Sequence, residues 1–438
     1  MGSIIQKQVS NNSANEDLRE ASFQNLRGRY MEVRKQTEYL CEPLEIEDYL
    51  IQTMANVSPT KWHLAHTSWF FETFILSNFI KDYKSYHPKF AYLFNSYYVQ
   101  AGERHCRPKR GLISRPTVRE VYEYRHYIDE QMSTLLEYPP INDLTRLYEV
   151  TEIGLNHEQQ HQELMITDIK HVFSMNPLYP AYRHREVKLS SVIPVLHWVD
   201  FDGGLMKTGH DKDGFCFDNE LPRHNTYIHS FQLANRLITN AEYLEFMKDG
   251  GYERPEIWLS DGWNIVESQN WNSPYYWEKR DDEWWMITLQ GPRKINPAEP
   301  VCHISHYEAD AFARWSNARL ATEAEWEIAS QHVPVEGNLV ESENYHPVPL
   351  ADQGDSKTLC QMHGDVWEWT QSAYLPYPGY HPLPGALGEY NGKFMANQIV
   401  LKGGSCATPK SHIRKSYRNF FHPDTRWQFT GIRLARDI

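Results

Sequence analysis

Apolar residues recur at steps of three and four through the first 175 residues, the period of amphipathic helices. Leu26, Tyr30 and Val33 begin this texture, and Ile46 to Met54 reads as a short second helix. Ser58-Pro59 has the form of a helix start, with Ser58 as N-cap and Pro59 at the first helical position. Trp62, His66, Trp69, Thr73, Leu76 and Ile80 then line one face of a long helix. A loop over about residues 84–114 follows, and Pro116 opens another helix, striped by Val118, Val121, Tyr122, Arg125, Ile128, Met132 and Leu135. The clearest stripe comes last: Leu147, Val150, Gly154, His157, His161, Leu164 and Asp168. Long helices on modest loops predict an all-α, antiparallel four-helix bundle over residues 19–175. Residues 1–18 are polar and are expected to be a mobile N-terminus.

Pro177, Pro180 and Pro194 interrupt the helical period, so residues 176–194 read as a linker. Over residues 195–438 the apolar runs are short, and Gly, Pro, Asn and Trp are frequent. This predicts a loop-rich α+β domain with helices at Asn240–Lys248 and His306–Asn317. A third starts at Thr322 and runs to Ile328, with Thr322 and Glu325 as a capping-box pair.

Composition narrows the function classes. The chain has 438 residues, enough for two large domains. Its net charge of −13 argues against general nucleic-acid or anionic-membrane binding. No run of 18 apolar residues and no secretory h-region is seen, so neither a membrane span nor a signal peptide is expected. Six scattered cysteines without a CxxC argue against a disulfide framework or a Cys-rich zinc site. The expected compartment is the reducing cytoplasm. Oligomeric state is left open by the sequence.

The chemistry gathers on the helical stripes. His157 and His161 lie one helical turn apart and point the same way, so they can bind one metal. Gly154, one turn earlier, is expected to leave space above them. Asp168, further along the stripe, is a candidate for contact with a ligand histidine. The segment WHLAHTSW supplies a third imidazole, His63 or His66; spacing alone does not choose, and the stripe favours His66. Three nitrogens leave coordination positions open, as a catalytic metal requires. HEQQH is also a literal HExxH, with Glu158 as the would-be base of a zinc protease. The extended form of that motif requires Gly and His where this chain has Leu164 and Thr167. Between the histidine helices lie the adjacent Tyr97 and Tyr98, protonated donors at neutral pH, and a basic cluster of Arg104, Arg107, Lys109 and Arg110. In an extended segment the two tyrosines would point in opposite directions, one toward the metal and one bracing the loop.

RLATEAEWEIA, MHGDVWEWTQS, LKGGSCATP and FTGIRLARD resemble, in order, the signature blocks of the formylglycine-generating-enzyme (sulfatase-modifying factor) domain, whose fold is similar to C-type lectins. The N-terminal half, with LAH and HEQQH, resembles the DinB-like metal-binding bundle. Together they resemble the ergothioneine-biosynthesis sulfoxide synthases, and FNSYY with GERH resembles the branch that uses free cysteine. The resemblance implies an Fe(2+) oxygenase that joins L-cysteine to C2 of hercynine (N-alpha-trimethylhistidine) with O2. It implies iron ligands His66, His157 and His161, and a proton donor in Tyr97 or Tyr98. Gln160 and Asn419 would bind hercynine, and Phe420 and Phe421 would be substrate-binding residues. Arg104 and Arg107 would hold the thiol substrate's carboxylate. Phe421 and Thr425 stand where the γ-glutamylcysteine branch has an acid–base pair, so that thiol loses its anchor. True formylglycine-generating enzymes carry a catalytic cysteine pair after the GGS block; here only Cys406 stands in it. Alternatives are the same chemistry on γ-glutamylcysteine, a selenium donor or histidine, a DinB-type metal-dependent thiol transferase, or a non-enzymatic binding module.

Overall fold

In the computed structural model, the described residues are 22–184, 192–351 and 355–438. The expected mobile N-terminus, residues 1–18, lies outside them, as does 185–191 of the expected linker. The chain divides into two compact units between Asp168 and Ile169. Among the described residues, no helix is long and apolar enough to cross a membrane.

The first unit contains four long helices: α1 (22–39), α2 (Thr60–Phe71), α3 (Val118–Glu137) and α4 (Leu144–Ser174), the last of which runs past the division. All twelve residues of α2 are buried, polar ones included. It continues through a π turn, Glu72–Leu76, into Ser77–Phe79. The extra residue in that turn shifts the phase of the stripe: Ile75 and Leu76 are both buried, while Thr73 is half-buried.

Several expected boundaries move, each for a local reason. Ser58 does not cap α2. Its N–H donates to Asp168 Oδ2 (2.8 Å), and its hydroxyl accepts from Arg110 Nη1 (2.9 Å). Pro59 is the N-cap, and the helix begins at Thr60. Helix α3 starts at Val118 under a reciprocal Thr117–Glu120 capping box, so Pro116 precedes the helix. Only Ile46–Leu50 of the expected second helix forms, as a 3-10 turn. The expected loop holds a short helix, Phe90–Phe94, and two 3-10 turns, Val99–Ala101 and Arg107–Leu112.

A buried charge cluster ties the four helices together. Glu158 on α4 accepts from Arg34 Nη1 on α1 (2.9 Å), Arg125 Nη2 on α3 (2.6 Å) and Thr37 Oγ1 (2.6 Å). Arg34 Nη2 also reaches Ser68 Oγ on α2 (2.9 Å). Burial raises the Glu158 carboxyl, but Arg125 and Arg34 outweigh it and hold the carboxyl at about 2. The glutamate of HExxH is therefore a fully paired structural anion, not a general base.

The second unit contains two four-stranded sheets. One has the order β1 (Trp198–Phe201), β4 (Phe231–Ala234), β13 (Leu434–Asp437), β8 (Arg319–Leu320). The other runs β11 (Asn419–Phe421), β10 (Ile399–Lys402), β9 (Trp367–Ala373), β12 (Thr430–Gly431). A hairpin of β2 (Gly204–Thr208) with β3 (His224–Ile228) and a meander of β5 (Trp277–Arg280), β6 (Glu283–Thr288) and β7 (Gly291–Lys294) complete the strands named here. Helices α5 (Asn240–Lys248), α7 (His306–Trp315) and α8 (Glu323–Ser330) each begin under a capping box. Helix α6 (Ser260–Gln269) lacks a side-chain cap and was not expected from the sequence.

The signature blocks converge on the core. Trp326 of α8 packs with Phe231, Leu233, Met362 and Ala435. Its Nε1 donates to Glu368 Oε2 (2.8 Å), which also accepts from Arg433 Nε (2.9 Å). Thus EWEIA, DVWEW and GIRLA meet in one buried hydrogen-bonded knot. Gly403 sits beside it at φ +99°, where an added Cβ would lie 2.8 Å from the Met362 carbonyl oxygen. This explains the glycine in the GGS block.

Candidate metal centre

Two helices and one short turn position the histidines. His66 lies on α2; His157 and His161 lie one turn apart on α4. One nitrogen from each of the three rings falls within 4.8 Å of the others. His66 Nε2 and His157 Nε2 are 3.1 Å apart. Two nitrogens about 2.1 Å from one ion, at angles from square to tetrahedral, stand about 3.0–3.4 Å apart, so the spacing fits a shared metal. Burial keeps all three rings neutral. It holds His157 down to about 3, against the opposing pull of Glu158, and His66 and His161 well below the ordinary histidine range, with neighbouring imidazoles adding to the effect on all three. Neutral rings keep the lone pairs that a metal needs.

The rings are held from behind. His66 Nδ1 lies 2.6 Å from the carbonyl of Phe94, and Trp62 Nε1 donates to Leu93 O (3.2 Å). Both carbonyls end the short helix Phe90–Phe94, where the last C=O groups lack helical partners. Trp62 and Trp69 stack on either side of His66, with centroids at 4.5 and 5.4 Å. His63 is turned the other way. Its Nδ1 lies 2.8 Å from His161 Nδ1, and its Nε2 lies 2.9 Å from Asp168 Oδ2. Within WHLAH, then, it is His66 that joins the three-ring cluster.

Gly154 does not leave open space. A Cβ there would lie 2.6 Å from Phe71 Cε1 and 3.2 Å from Phe70 Cε1. The Phe70 ring in turn lies 4.5 Å from that of His157. The glycine admits two phenyl rings against α4 and so shapes the wall beside the cluster.

Tyr97 and Tyr98 depart from the extended-strand expectation. The backbone bends at Tyr97, and the two rings stack at 4.6 Å and 29°. Tyr98 is fully buried, and its ring meets that of Trp69 at 5.6 Å, while Tyr97 is half-buried. Of the basic cluster, Arg104 lines a surface cavity of about 740 Å³ with Tyr92, Val99, Gly102 and Glu103. Arg107 Nη2 donates to the Asn56 carbonyl (2.8 Å). Arg110 is the one that turns inward. It lies 3.3 Å above the Trp62 ring, and its guanidinium donates to Ser58 Oγ and Ser96 Oγ. No carboxylate lies within ion-pair distance of it among the described residues. Burial and Arg107 lower it to about 8. The sequence placed Arg110 in the cluster, but no helical period could mark it as the buried member.

The remaining expected site residues stand as follows. Gln160 lies on α4, partly exposed, just before His161. Asn419, Phe420 and Phe421 form β11 in the second unit, paired with Leu401, Val400 and Ile399. Alternation puts Asn419 and Phe421 on one face and Phe420 on the other, stacked on Tyr374 at 4.0 Å. Thr425 is buried. Cys406 is fully buried in the turn after Gly404.

Comparison with known proteins agrees with the two-part organisation. Residues 185–438 match the sulfatase-modifying factor enzyme 1-like domain. A hercynine oxygenase of Mycolicibacterium smegmatis is 33% identical over 314 residues, 65% of this chain and 71% of that protein. A hercynine oxygenase of Mycobacterium tuberculosis is 32% identical over 305 residues, 65% of this chain and 70% of that protein. Ergothioneine biosynthesis protein 1 of Schizosaccharomyces pombe is 26% identical over 239 residues, 51% of this chain and 28% of that protein. With a helical first unit and a sulfatase-modifying factor enzyme 1-like second unit, the chain is an enzyme that belongs to the hercynine oxygenase family.

Proposed function

We propose that the chain is an iron(II)- and O2-dependent sulfoxide synthase that joins the sulfur of L-cysteine to C2 of the hercynine imidazole. The thiol loses S–H, the ring loses C2–H, and a C–S bond forms. The sulfur takes one oxygen atom of O2, and the other leaves as water. The observation that carries this reading is the set of three neutral, converging imidazoles, with the buried cation Arg110 nearby on Trp62. Three histidines also suit zinc, nickel or copper; the chemistry of the family favours iron. Iron, when bound, would activate O2 and lower the thiol pKa, while the four electrons that reduce O2 come from the thiol and the imidazole.

His66, His157 and His161 hold the metal in this reading. The helices α1 to α4 form a DinB-like four-helix bundle, and the second unit has the C-type-lectin-like fold. Gln160 and Asn419 are each assigned to hercynine, and Phe420 and Phe421 are assigned to substrate binding. Arg104 and Arg107 are assigned to the carboxylate of the thiol substrate; the burial of Arg110 without an acidic partner adds it to that set. A phenol of Tyr97 or Tyr98 donates the proton. With Phe421 and Thr425 uncharged, nothing there pairs with a glutamyl group, so free cysteine is the donor.

The test is product analysis with iron(II)-loaded protein, hercynine and a thiol, with and without O2. Cysteine is expected to give the sulfoxide conjugate only with O2, at a much higher kcat/KM than γ-glutamylcysteine. Comparable values for both thiols would remove the donor assignment. No conjugate with hercynine in the presence of O2, together with O2-independent transfer of the thiol to an electrophilic acceptor such as an epoxide, would favour a thiol transferase.

A further inference from the structure

We propose that His63 and Asp168 are positioning residues that fix the tautomer of His161, and so select the nitrogen it turns toward the metal. The inference rests on the metal reading above. It follows from counting protons along a chain of three contacts. Asp168 Oδ2 accepts from the Ser58 N–H (2.8 Å) and lies 2.9 Å from His63 Nε2. A carboxylate oxygen accepting from a backbone N–H has no proton to give, so the hydrogen is on His63 Nε2. His161 Nδ1 lies 2.8 Å from His63 Nδ1, so one of the two brings a hydrogen and the other a lone pair. With its Nδ1 engaged there, His161 ligates through Nε2, which needs the lone pair; the hydrogen of His161 is then at Nδ1, and His63 Nδ1 accepts it. His66 reaches the same state by another route: its Nδ1 faces the Phe94 carbonyl, which only accepts, so its Nε2 also holds a lone pair.

The two supports differ in charge. A carbonyl orients a ring, whereas an anionic carboxylate acting through His63 also makes the ring it backs more basic and a stronger ligand. Placement is set by the two helices. Asp168 stands seven residues, about two turns, after His161 on α4, and His63 stands three before His66 on α2. The same carboxylate oxygen holds the Ser58 amide just before α2, so one atom fixes both the start of that helix and the direction of the His161 ring.

The experiment measures metal affinity, by competition of the whole protein with a chromophoric chelator for Fe(II) and Co(II), together with the Co(II) absorption spectrum. The variants are His63→Phe, Asp168→Leu, Asp168→Asn and His66→Ala, each checked by circular dichroism. His63→Phe and Asp168→Leu are expected to weaken both ions by roughly 10- to 100-fold and to alter the Co(II) spectrum. Asp168→Asn keeps an acceptor oxygen but not the charge, so its affinity should fall between those of the wild type and Asp168→Leu, whereas a purely packing role would let the similarly sized leucine do as well as asparagine. Wild-type affinity and spectrum in His63→Phe, with loss in His66→Ala, would overturn the inference and leave the metal reading intact. Wild-type affinity in His66→Ala would instead overturn the metal reading. Nitrogen-15 NMR of histidine-labelled wild-type protein gives an answer that depends on no variant folding: His161 should carry its hydrogen at Nδ1, and an Nε2–H form overturns the proposal.

Discussion

At the scale of the residue, Gly154 reverses the usual rule for glycine in a helix. Replacing an exposed helical glycine with alanine typically gains about 1 kcal/mol. Here the new methyl would meet Phe71 at 2.6 Å and Phe70 at 3.2 Å. Overpacking of this kind costs about 1–3 kcal/mol and outweighs the propensity gain. Gly154→Ala is expected to lower the free energy of urea unfolding. It should also disturb His157, against whose ring Phe70 packs. A more stable variant would mean that the phenyl rings swing aside freely. The sequence marked Gly154 as a position where size matters, but not what fills the space, because the two rings arrive from a different helix. The tyrosine pair shows the same limit: adjacency is read directly, whereas the bend that stacks the rings depends on loop contacts.

At the scale of the element, Glu158 determines how the helices of the first unit are joined. Removing one partner of a buried charge cluster typically costs about 3–5 kcal/mol. Glu158→Ala leaves Arg34 and Arg125 buried around an empty place, and should destabilise the unit by an amount in that range. Chemical denaturation of the variant checks this, and a loss below about 1 kcal/mol would contradict the structural role. The cluster was half legible. Arg125 stands on an otherwise apolar stripe, and burying an arginine is costly unless it is paired. The motif itself pulled the other way, since HExxH suggests a base facing a metal. Helical geometry resolves it: Glu158, one residue after His157, lies about 100° around the helix from it. The π turn after α2 was not legible, because it arises where tertiary packing overrides a regular period.

For the whole molecule, protonation sets the acid limit of stability. In the second unit, burial holds His306, His346 and His363 each at about 4, below the ordinary value of about 6.5. The unfolded chain takes up these protons first. The stabilisation is therefore complete above about pH 6.5 and is lost as pH falls through about 4. Asp365 acts in the opposite sense: burial raises it to about 6, so its own contribution favours the folded state at lower pH. Glu327, Glu368 and Asp310, also raised by burial, act with Asp365, and His303 and His412, lowered by burial, act with the three histidines, so the lowered histidines outnumber the raised acids. Each fully coupled histidine adds a slope of about 1.4 kcal/mol per pH unit. Denaturant midpoints between pH 7 and 4.5 should fall steeply, and a flat profile would contradict the buried, neutral assignment. At this scale the second unit was legible as a set of blocks and capping boxes. Its sheet order was not. Strand β13 pairs with β4 and β8, about 200 and 115 residues earlier. Local periodicity carries no information about partners so distant.

The complete burial of α2 ties metal supply to the amount of folded protein. A helix of twelve residues without a side-chain cap is marginal in isolation and persists only once its neighbours enclose it. His157 and His161 come together as soon as α4 winds, but His66 arrives only with the docking of α2. An ion that needs all three rings therefore binds the native unit and not the unfolded chain. By mass action, free metal at a hundred times its Kd adds about 2.7 kcal/mol to the stability of that unit. A cell short of the metal would then lose both turnover and the enzyme itself, as unfilled chains open more often to proteolysis.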